Sequence, residues 1–371
     1  MVQWDQEQPY FNGDDFFRVI IENIRSAQTT IDLESYIFAR DPFTERIENE
    51  LVTAAKRGVK IRILVDGIGA MSWLGRINQE LLETSCQIRV FHPVRFSVFE
   101  AGRVFLRINK RDHRKVWLID EQKAWVGSMN IASEHLREFR GDDAWRDTAL
   151  GVTGESIWIL REAFQRTWDK SEPYPHNPTW KRVFKLRKRL PKNSVVRLND
   201  SRRLRKAGTR DLRKRVRSAR HRVWLINPYF APNPFFLSAV IKSKHNGCDV
   251  KLLVPRVSDV FFMKWVAQSY YGALLKVGIE VYEYQPRFLH AKSVVIDDWA
   301  TIGTSNLNSR SFRHDLEVDL VVTKPATLEA LISQFQKDLS ESRQIQLQEW
   351  NRERWVNRLG RVIAYLFGKW I

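Results

Sequence analysis

The sequence predicts an α/β protein built of two similar halves. Each half is a β-sheet flanked by helices, and a pseudo-two-fold axis relates them. Three observations carry this reading. A strand–helix–strand segment occurs twice. The same short constellation of polar residues closes both copies. Nearly all of the excess charge sits in one joint between them. The 371 residues are 43% hydrophobic, enough chain and enough apolar surface for a substantial core.

The repeat sets the elements in order. Arg25-Ser-Ala-Gln-Thr-Thr-Ile-Asp-Leu-Glu-Ser-Tyr-Ile-Phe-Ala resembles Arg217-Ser-Ala-Arg-His-Arg-Val-Trp-Leu-Ile-Asn-Pro-Tyr-Phe-Ala. A helix-like segment follows each. Then come Gly58-Val-Lys-Ile-Arg-Ile-Leu-Val and Gly247-Cys-Asp-Val-Lys-Leu-Leu-Val. An apolar strand, a helix, a glycine stop and a second apolar strand form a βαβ unit. A further helix and strand are expected at 73–82 and 88–91, and again at 261–276 and 279–284. Helices on both copies imply covered, parallel-rich sheets. The chain then divides into a first domain at 1–180, a basic linker at 181–210, a second domain at 211–345 and a C-terminal segment at 346–371.

Charge and cysteine use narrow the classes. The chain has 61 Lys+Arg against 43 Asp+Glu, a formal net charge of +18. Residues 181–222 hold 19 basic and two acidic residues, so this segment carries +17 and the remainder is almost neutral. A polyanionic partner is implied, nucleic acid or an anionic membrane surface. No aromatic residue falls inside 185–222, so bases would find no stacking platform there, and nucleic acid is disfavoured. Two cysteines, Cys86 and Cys248, cannot form a disulfide framework or a Cys-rich zinc site. The N-terminus lacks the apolar stretch of a signal peptide, and no apolar run reaches the roughly 18–20 residues of a membrane span.

The repeated constellation carries the chemistry. His113-Arg-Lys115-Val-Trp-Leu-Ile-Asp120 is followed six residues later by Gly127-Ser128-Met-Asn130. His290-Ala-Lys292-Ser-Val-Val-Ile-Asp297 is followed five residues later by Gly303-Thr304-Ser-Asn306. A single H-x-K-x4-D arises by chance in on the order of a few per cent of such chains. Two copies at matching places in a repeat do not. In a strand, residues i and i+2 share a face, so each His and Lys point together. Facing halves would gather two His, two Lys, two Asn and two hydroxyls around one point.

That set suits a phosphodiester. Lys115 and Lys292 neutralise non-bridging oxygens, and Ser128, Asn130, Thr304 and Asn306 donate hydrogen bonds to them. One neutral imidazole attacks phosphorus, and the other protonates the leaving oxygen. No metal or other cofactor is required, because the lysines supply the electrostatics. Each His needs a partner for its second ring nitrogen. Asp147 in the first half and Glu317 in the second are read as these orienting carboxylates, with Asp315 and Asp319 as competitors in the second half. Asp120 and Asp297 complete the catalytic motifs but end strands, which makes them structural partners.

At these residues the chain is identified as a member of the phospholipase D superfamily, with its two H-K-D motifs and duplicated fold. The resemblance covers nearly the whole chain. Within the superfamily it looks most like the bacterial cardiolipin synthases. Asn109-Lys-Arg111-Asp-His113-Arg114-Lys115 is similar to that group's N-x-R-x-H-R-K. Phe288-Leu-His290-Ala-Lys292-Ser-Val and Gly303-Thr-Ser-Asn306-Leu-Asn-Ser-Arg-Ser resemble its second motif, and Ser269-Tyr-Tyr-Gly-Ala-Leu-Leu one of its helices. The resemblance implies a covalent phosphatidyl-histidine intermediate, no metal, His113 as nucleophile and His290 as acid. It implies transfer of a phosphatidyl group to phosphatidylglycerol, releasing glycerol or another headgroup alcohol. Anionic phospholipids, phosphatidylglycerol and cardiolipin, would be the partners. Two features depart from the pattern. The spacer before Gly303 is one residue shorter than that before Gly127, which leaves room for a shift of Thr304 and Asn306. The N-terminal membrane helices of some relatives are not expected here.

The tail offers another membrane element. From Trp355 to Ile371, apolar residues fall on one helical face, with Arg352, Arg354, Arg358, Arg361 and Lys369 flanking it. Membrane contact through 181–222 and 350–371 would place the protein peripherally on the cytoplasmic face of a bacterial inner membrane, or in the cytoplasm. Two motifs in one chain make no oligomer necessary for the site. Competing activities are phospholipid hydrolysis, nucleic-acid phosphodiester cleavage and non-catalytic membrane binding.

Overall fold

The structure is a computed structural model. It describes residues 3–93, 109–175, 189–192, 194–260 and 262–351. The first sheet contains β1 (Gln6–Tyr10), β2 (Thr30–Ser35), β3 (Lys60–Asp66), β4 (Gln87–Phe91), β5 (Val116–Ile119), β6 (Lys123–Gly127), β7 (Ala149–Thr153) and β8 (Glu172–Tyr174). The second contains β9 (Val196–Leu198), β10 (Arg222–Ile226), β11 (Asp249–Pro255), β12 (Glu280–Tyr284), β13 (Ser293–Ile296), β14 (Trp299–Gly303), β15 (Val318–Val322) and β16 (Ser342–Gln344). The strand orders are β1-β7-β6-β5-β2-β3-β4-β8 and β9-β15-β14-β13-β10-β11-β12-β16. They coincide element for element, so the duplicated α/β fold expected from the repeat is present.

Local chemistry explains the helices that join these strands. Asp41 caps helix Pro42–Lys56 by accepting from Thr44 N, with Pro42 in the first turn. Asn233 and Pro234 do the same for helix Pro234–His245. Gly58 and Gly247 follow these helices at φ 92° and 87°, a conformation that costs glycine little. Strands β2, β3 and β4 then run parallel, as do β10, β11 and β12.

Three apolar clusters hold the layers. An inner cluster joins the halves and includes Leu118, Val126 and Leu150 with Ile302, Val318 and Leu320. One outer cluster packs the first sheet on its helices through Ile20, Leu51 and Ile63, the other packs the second through Val240, Leu252 and Leu274. Each such side chain contributes about 1.5–3 kcal/mol relative to exposure. Cys86 and Cys248 are free, and burial pushes both thiols up, as inert small hydrophobes require.

The structure differs from the sequence reading in places. Strand β9 and helix Arg202–Ser218 occupy much of the segment read as linker at 181–210. Val196 and Leu198 are buried and pair with β15, a short alternation hidden among cations. Residues 181–188 of that segment lie outside the described residues. The helix expected at 73–82 is two short ones, Met71–Leu74 and Gln79–Glu83. Asn78 starts a new cap between them, accepting from Glu80 N. Helix Met263–Lys276 is continuous as expected. The expected amphipathic C-terminal helix lies outside the described residues from 352 onward. No helix among the described residues is long and apolar enough to cross a membrane.

Part of the basic joint is held within the fold. Asp211 accepts from Arg197 and Arg215, and both guanidinium groups lie over Trp299, at 5.2 and 4.5 Å. Helix Arg202–Ser218 buries only Leu204 and Val216, so its other cations cover the surface.

Candidate active site

The two H-x-K segments lie immediately ahead of β5 and β13. They bridge to the opposite half rather than extending their own strands. His113 N donates to Leu316 O at 3.0 Å, and Leu316 N donates to Arg111 O at 2.8 Å. In the other half, Arg146 N donates to Phe288 O at 2.9 Å and His290 N to Arg146 O at 2.8 Å. Each histidine is therefore placed beside the residue that precedes the other half's carboxylate.

The carboxylates pair crosswise as a result. Glu317 Oε2 is 3.3 Å from His113 Nδ1, and Asp147 Oδ1 is 2.9 Å from His290 Nδ1. Both bonds leave Nε2 as the outward nitrogen. Lys115 Nζ donates to His113 O at 2.9 Å. Lys292 Nζ lies 2.9 Å from both His290 O and His290 Nε2. The Tyr36 ring lies tilted against the His113 ring at 4.7 Å, and Lys115 and Lys292 lie over the rings of Tyr36 and Tyr229.

Burial sets the electrostatics. It holds His113 well below the ordinary histidine value, with Lys115 and Lys292 adding to the effect. It lowers His290 to about 3, again helped by Lys292 and opposed by Asp147. Both imidazoles are therefore neutral near pH 7. Burial and mutual repulsion bring Lys292 to about 7, and burial brings Lys115 to about 8. Burial pushes Glu317 up to about 7 against hydrogen bonds from Ser311 and Thr304. Asp147 goes the other way. Burial alone would raise it, but His135 and His290 hold it well below the carboxylate range.

Two expected phosphate ligands have other partners. Ser128 Oγ donates to Asp147 Oδ1 at 2.7 Å and accepts from Thr148 N at 3.0 Å. Thr304 Oγ1 donates to Glu317 Oε2 at 2.6 Å and accepts from Val318 N at 3.0 Å. A hydroxyl has one proton, and here each proton goes to a buried carboxylate. Ser128 and Thr304 thus steady the orienting acids. Asn130 and Asn306 remain beside the site, and the buried Asn306 Oδ1 has no protein partner.

The shorter second spacer leaves this geometry intact. Ile119 pairs with Lys123 across a three-residue turn, whereas Ile296 pairs with Trp299 across two residues. The extra residue is absorbed there, at the far end of each hairpin from the histidines. Gly127 and Gly303 keep equivalent places at the ends of β6 and β14.

Asp120 and Asp297 sit in these turns, at φ 49° and 51°. Each is about 16 Å along the strand from its motif lysine. Asp120 accepts from the backbone N–H groups of Gln28, Thr29 and Thr30. Asp297 accepts from those of Arg220, His221 and Arg222. They anchor the entry to β2 and β10 and touch no reacting atom. These bonds outweigh the effect of burial and lower both carboxyls, so their stabilisation is present above the unfolded value near 4 and fades as pH falls through the folded one. Asp120→Ala and Asp297→Ala are expected to cost about 1–2 kcal/mol each, as cap removal does, with turnover per folded molecule unchanged. Urea unfolding beside an active-site titration checks this, and a collapse of turnover in folded protein would refute it.

Beside Arg111, which belongs to the motif at 109–115, three residues that complete the site are not singled out by the sequence: Arg146, His135 and Ser311. Arg111 donates to Asp66 Oδ1 at 2.6 Å, Arg146 pairs with Asp338 at 2.7 Å, and His135 and Ser311 touch the orienting carboxylates. His135 and Ser311 each fall five residues after a motif Asn, a correspondence visible on aligning the two halves. Among the described residues, no group of three or more His, Cys, Asp or Glu side chains is arranged to hold a metal ion.

A family model described as Cardiolipin synthase, PLD-like domain matches residues 20–168 and 212–339. Cardiolipin synthase 2 of Bacillus anthracis is 31% identical over 360 residues, spanning 94% of this chain and 67% of that protein. Cardiolipin synthase of Clostridium perfringens (strain SM101 / Type A) is 30% identical over 363 residues, spanning 96% and 75%. In fold, the chain resembles the crystal structure of phosphatidylserine synthase from Haemophilus influenzae Rd KW20, with TM-score 0.73, 14% identity and coverage of 100% and 96%. It also resembles polyphosphate kinase from Porphyromonas gingivalis, with TM-score 0.58, 13% identity and coverage of 97% and 56%. With two copies of one fold facing each other across paired histidines, and this match along nearly its whole length, the chain belongs to the cardiolipin synthase family of phospholipase D-like proteins and is an enzyme of the phospholipase D superfamily.

Proposed function

We propose that the enzyme makes cardiolipin by transferring a phosphatidyl group from one phospholipid to phosphatidylglycerol. The observation that carries this is the pair of histidines, each with Nδ1 fixed by a carboxylate from the opposite half and each with a buried lysine against it. His113 Nε2 attacks phosphorus and the N–P bond forms. His290, which takes a proton at Nε2 from Lys292 once phosphate is bound, passes that proton to the leaving oxygen as the P–O bond to the headgroup breaks. The glycerol hydroxyl of phosphatidylglycerol then attacks phosphorus, returning a proton to His290 as the N–P bond breaks.

The unequal carboxylates support this division. Asp147 stays ionised behind His290 and would stabilise the imidazolium that forms there when phosphate binds, whereas Glu317, behind His113, titrates near 7. Lys292 Nζ beside His290 Nε2 offers a ready proton when phosphate arrives. Lys115, Lys292, Asn130 and Asn306 hold the phosphate oxygens. The test supplies labelled phosphatidylglycerol in vesicles, with and without phosphatidylethanolamine, and resolves the products. Cardiolipin supports the proposal. Phosphatidic acid alone would mean hydrolysis, and DNA cleavage without lipid turnover would end the lipid reading.

The pH profile follows from the same groups. Below about 7, Glu317 takes a proton and stops supporting charge on His113. Above about 7 to 8, Lys292 and then Lys115 lose charge. The kcat/KM profile should peak between about pH 7 and 8 and fall on both sides, the alkaline limb through KM. A profile flat from pH 5 to 9 would contradict these assignments.

The exposed cations of helix Arg202–Ser218 and the rest of 181–222, together with 350–371, are proposed to hold the enzyme on anionic lipid. Sedimentation with phosphatidylglycerol vesicles should weaken as salt rises toward 1 M. Binding indifferent to salt would rule out this electrostatic contact.

A further inference from the structure

His135 is a buried, titratable side chain that the reaction scheme above leaves unused. It ends the short turn Ser133–His135 and is 0% exposed at its side chain. Its Nδ1 lies 2.7 Å from Asp147 Oδ2, and its Nε2 accepts from Asn130 N at 3.1 Å. A backbone N–H can only donate, so Nε2 carries the lone pair and Nδ1 the proton. The hydrogen-bond network thus assigns the neutral Nδ1–H tautomer.

The second half repeats this link with different chemistry. Asn306 N donates to Ser311 Oγ at 3.2 Å, and Ser311 Oγ donates to Glu317 Oε1. In both halves the backbone N–H of the motif Asn, a polar side chain five residues on, and the orienting carboxylate form one chain. A histidine stands where the other half has serine, and aspartate where it has glutamate. The histidine half is the one that backs His290.

We infer that His135 is a positioning residue for His290: it holds Asp147 so that Oδ1 stays on His290 Nδ1 and Nε2 stays aimed at the leaving oxygen. This rests on the reading of His290 as the acid. Asp147 Oδ1 already receives His290 Nδ1 and Ser128 Oγ, so Oδ2 depends on His135. The groups around this chain are fixed. Trp145 meets the rings of His135 and His290, each at 5.2 Å. Lys292 faces His290 Nε2, and Lys115 faces Lys292 across the site. Arg146 donates to Asp147 O and is paired with Asp338. Without His135, the bare Oδ2 would be buried, and the carboxylate would rotate away from His290 or take up a proton. Either change removes the negative charge that an imidazolium at His290 needs.

The consequence depends on the leaving group. Glycerol must leave with a proton from His290 Nε2 as its P–O bond breaks. A p-nitrophenolate leaves with the bond's electron pair and no proton. His135→Ala should therefore slow the first turnover of phosphatidylglycerol by on the order of 10²-fold. Release from phosphatidyl-p-nitrophenol should change by no more than about threefold, since that bond breaks without the acid. His135→Gln offers a donor and an acceptor in similar places and should restore most of the loss. Ser311→Ala, which loosens Glu317 behind the nucleophile, should slow both substrates alike.

Equal losses on both substrates in folded His135→Ala would overturn the inference. Ring-nitrogen NMR of ¹⁵N-histidine-labelled wild-type enzyme tests it without any variant. His135 and His290 should both show the Nδ1–H tautomer at pH 7. An Nε2–H tautomer or a cation at His135 would overturn it as well. Should neither lipid react with wild-type enzyme, the proposed activity fails, while the ring-nitrogen spectrum still decides the role of His135.

Discussion

His113→Ala and His290→Ala should each lower phosphatidyl transfer by at least about 10²–10⁴-fold, the usual scale for groups that move protons or form the covalent intermediate. The two losses should differ in kind. Without His113 no N–P bond forms, so no leaving group rescues the reaction. Without His290 the N–P bond still forms if the leaving alcohol needs no proton. A phosphatidyl aryl ester should then show a burst of phenolate in His290→Ala and none in His113→Ala. Acid-quenched enzyme should carry label on His113 in that burst. Activity near wild type in either variant would remove that histidine from the reaction, and a burst in His113→Ala alone would exchange the two roles. Neither change should unfold the protein, because Lys115 and Lys292 keep their bonds to the backbone carbonyls of residues 113 and 290.

The repeat and its two signatures make the fold legible in the sequence. Strand periodicity alone places β2 to β4 and β10 to β12, since long apolar runs bounded by glycine leave little choice. The edge strands β1, β8, β9 and β16 were not legible. They are three to five residues long, too short to show a period, and β1 and β16 are mostly polar. The site shows the same boundary. Asp147 and Glu317 stand out as carboxylates after each motif, yet their crosswise pairing depends on how two halves dock. No local period encodes that. It arises where residues 112 and 316, and 146 and 289, bridge across the halves. The carboxylate partners of Ser128 and Thr304 are hidden from the sequence for a related reason. Spacing brings a hydroxyl near the phosphate but does not say which acceptor takes its single proton. The motif acids Asp120 and Asp297, read as structural from their place at strand ends, do hold the entries to the sheets.

Asp338→Ala should destabilise the enzyme by about 3–5 kcal/mol, the cost of stranding a buried charge. Asp338 lies on helix Pro325–Ser340 in the second half, and Arg146 lies in the first. Both side chains are 1% exposed. Arg146 Nε and Nη2 reach the two oxygens of Asp338 at 3.1 and 2.7 Å, a planar two-point contact that lysine could not make. The remaining guanidinium nitrogen donates to Asp147 O and Thr148 Oγ1. Arg146 O in turn accepts from His290 N and Ala291 N. One ion pair thus fastens the halves together at the segment bearing Asp147 and His290. Removing Asp338 leaves a guanidinium with no counter-charge, whereas replacing both partners by apolar groups removes the problem. Arg146→Met with Asp338→Leu should recover most of the lost stability, because a buried pair contributes little beyond its own desolvation. Turnover should stay depressed in that double variant, since the bonds that hold residues 147 and 148 are gone. Denaturant unfolding and initial rates read the two effects separately. A double variant as unstable as Asp338→Ala would show that packing, not an unpaired charge, sets the penalty. Full turnover in it would show that Asp147 and His290 are aligned without the clamp.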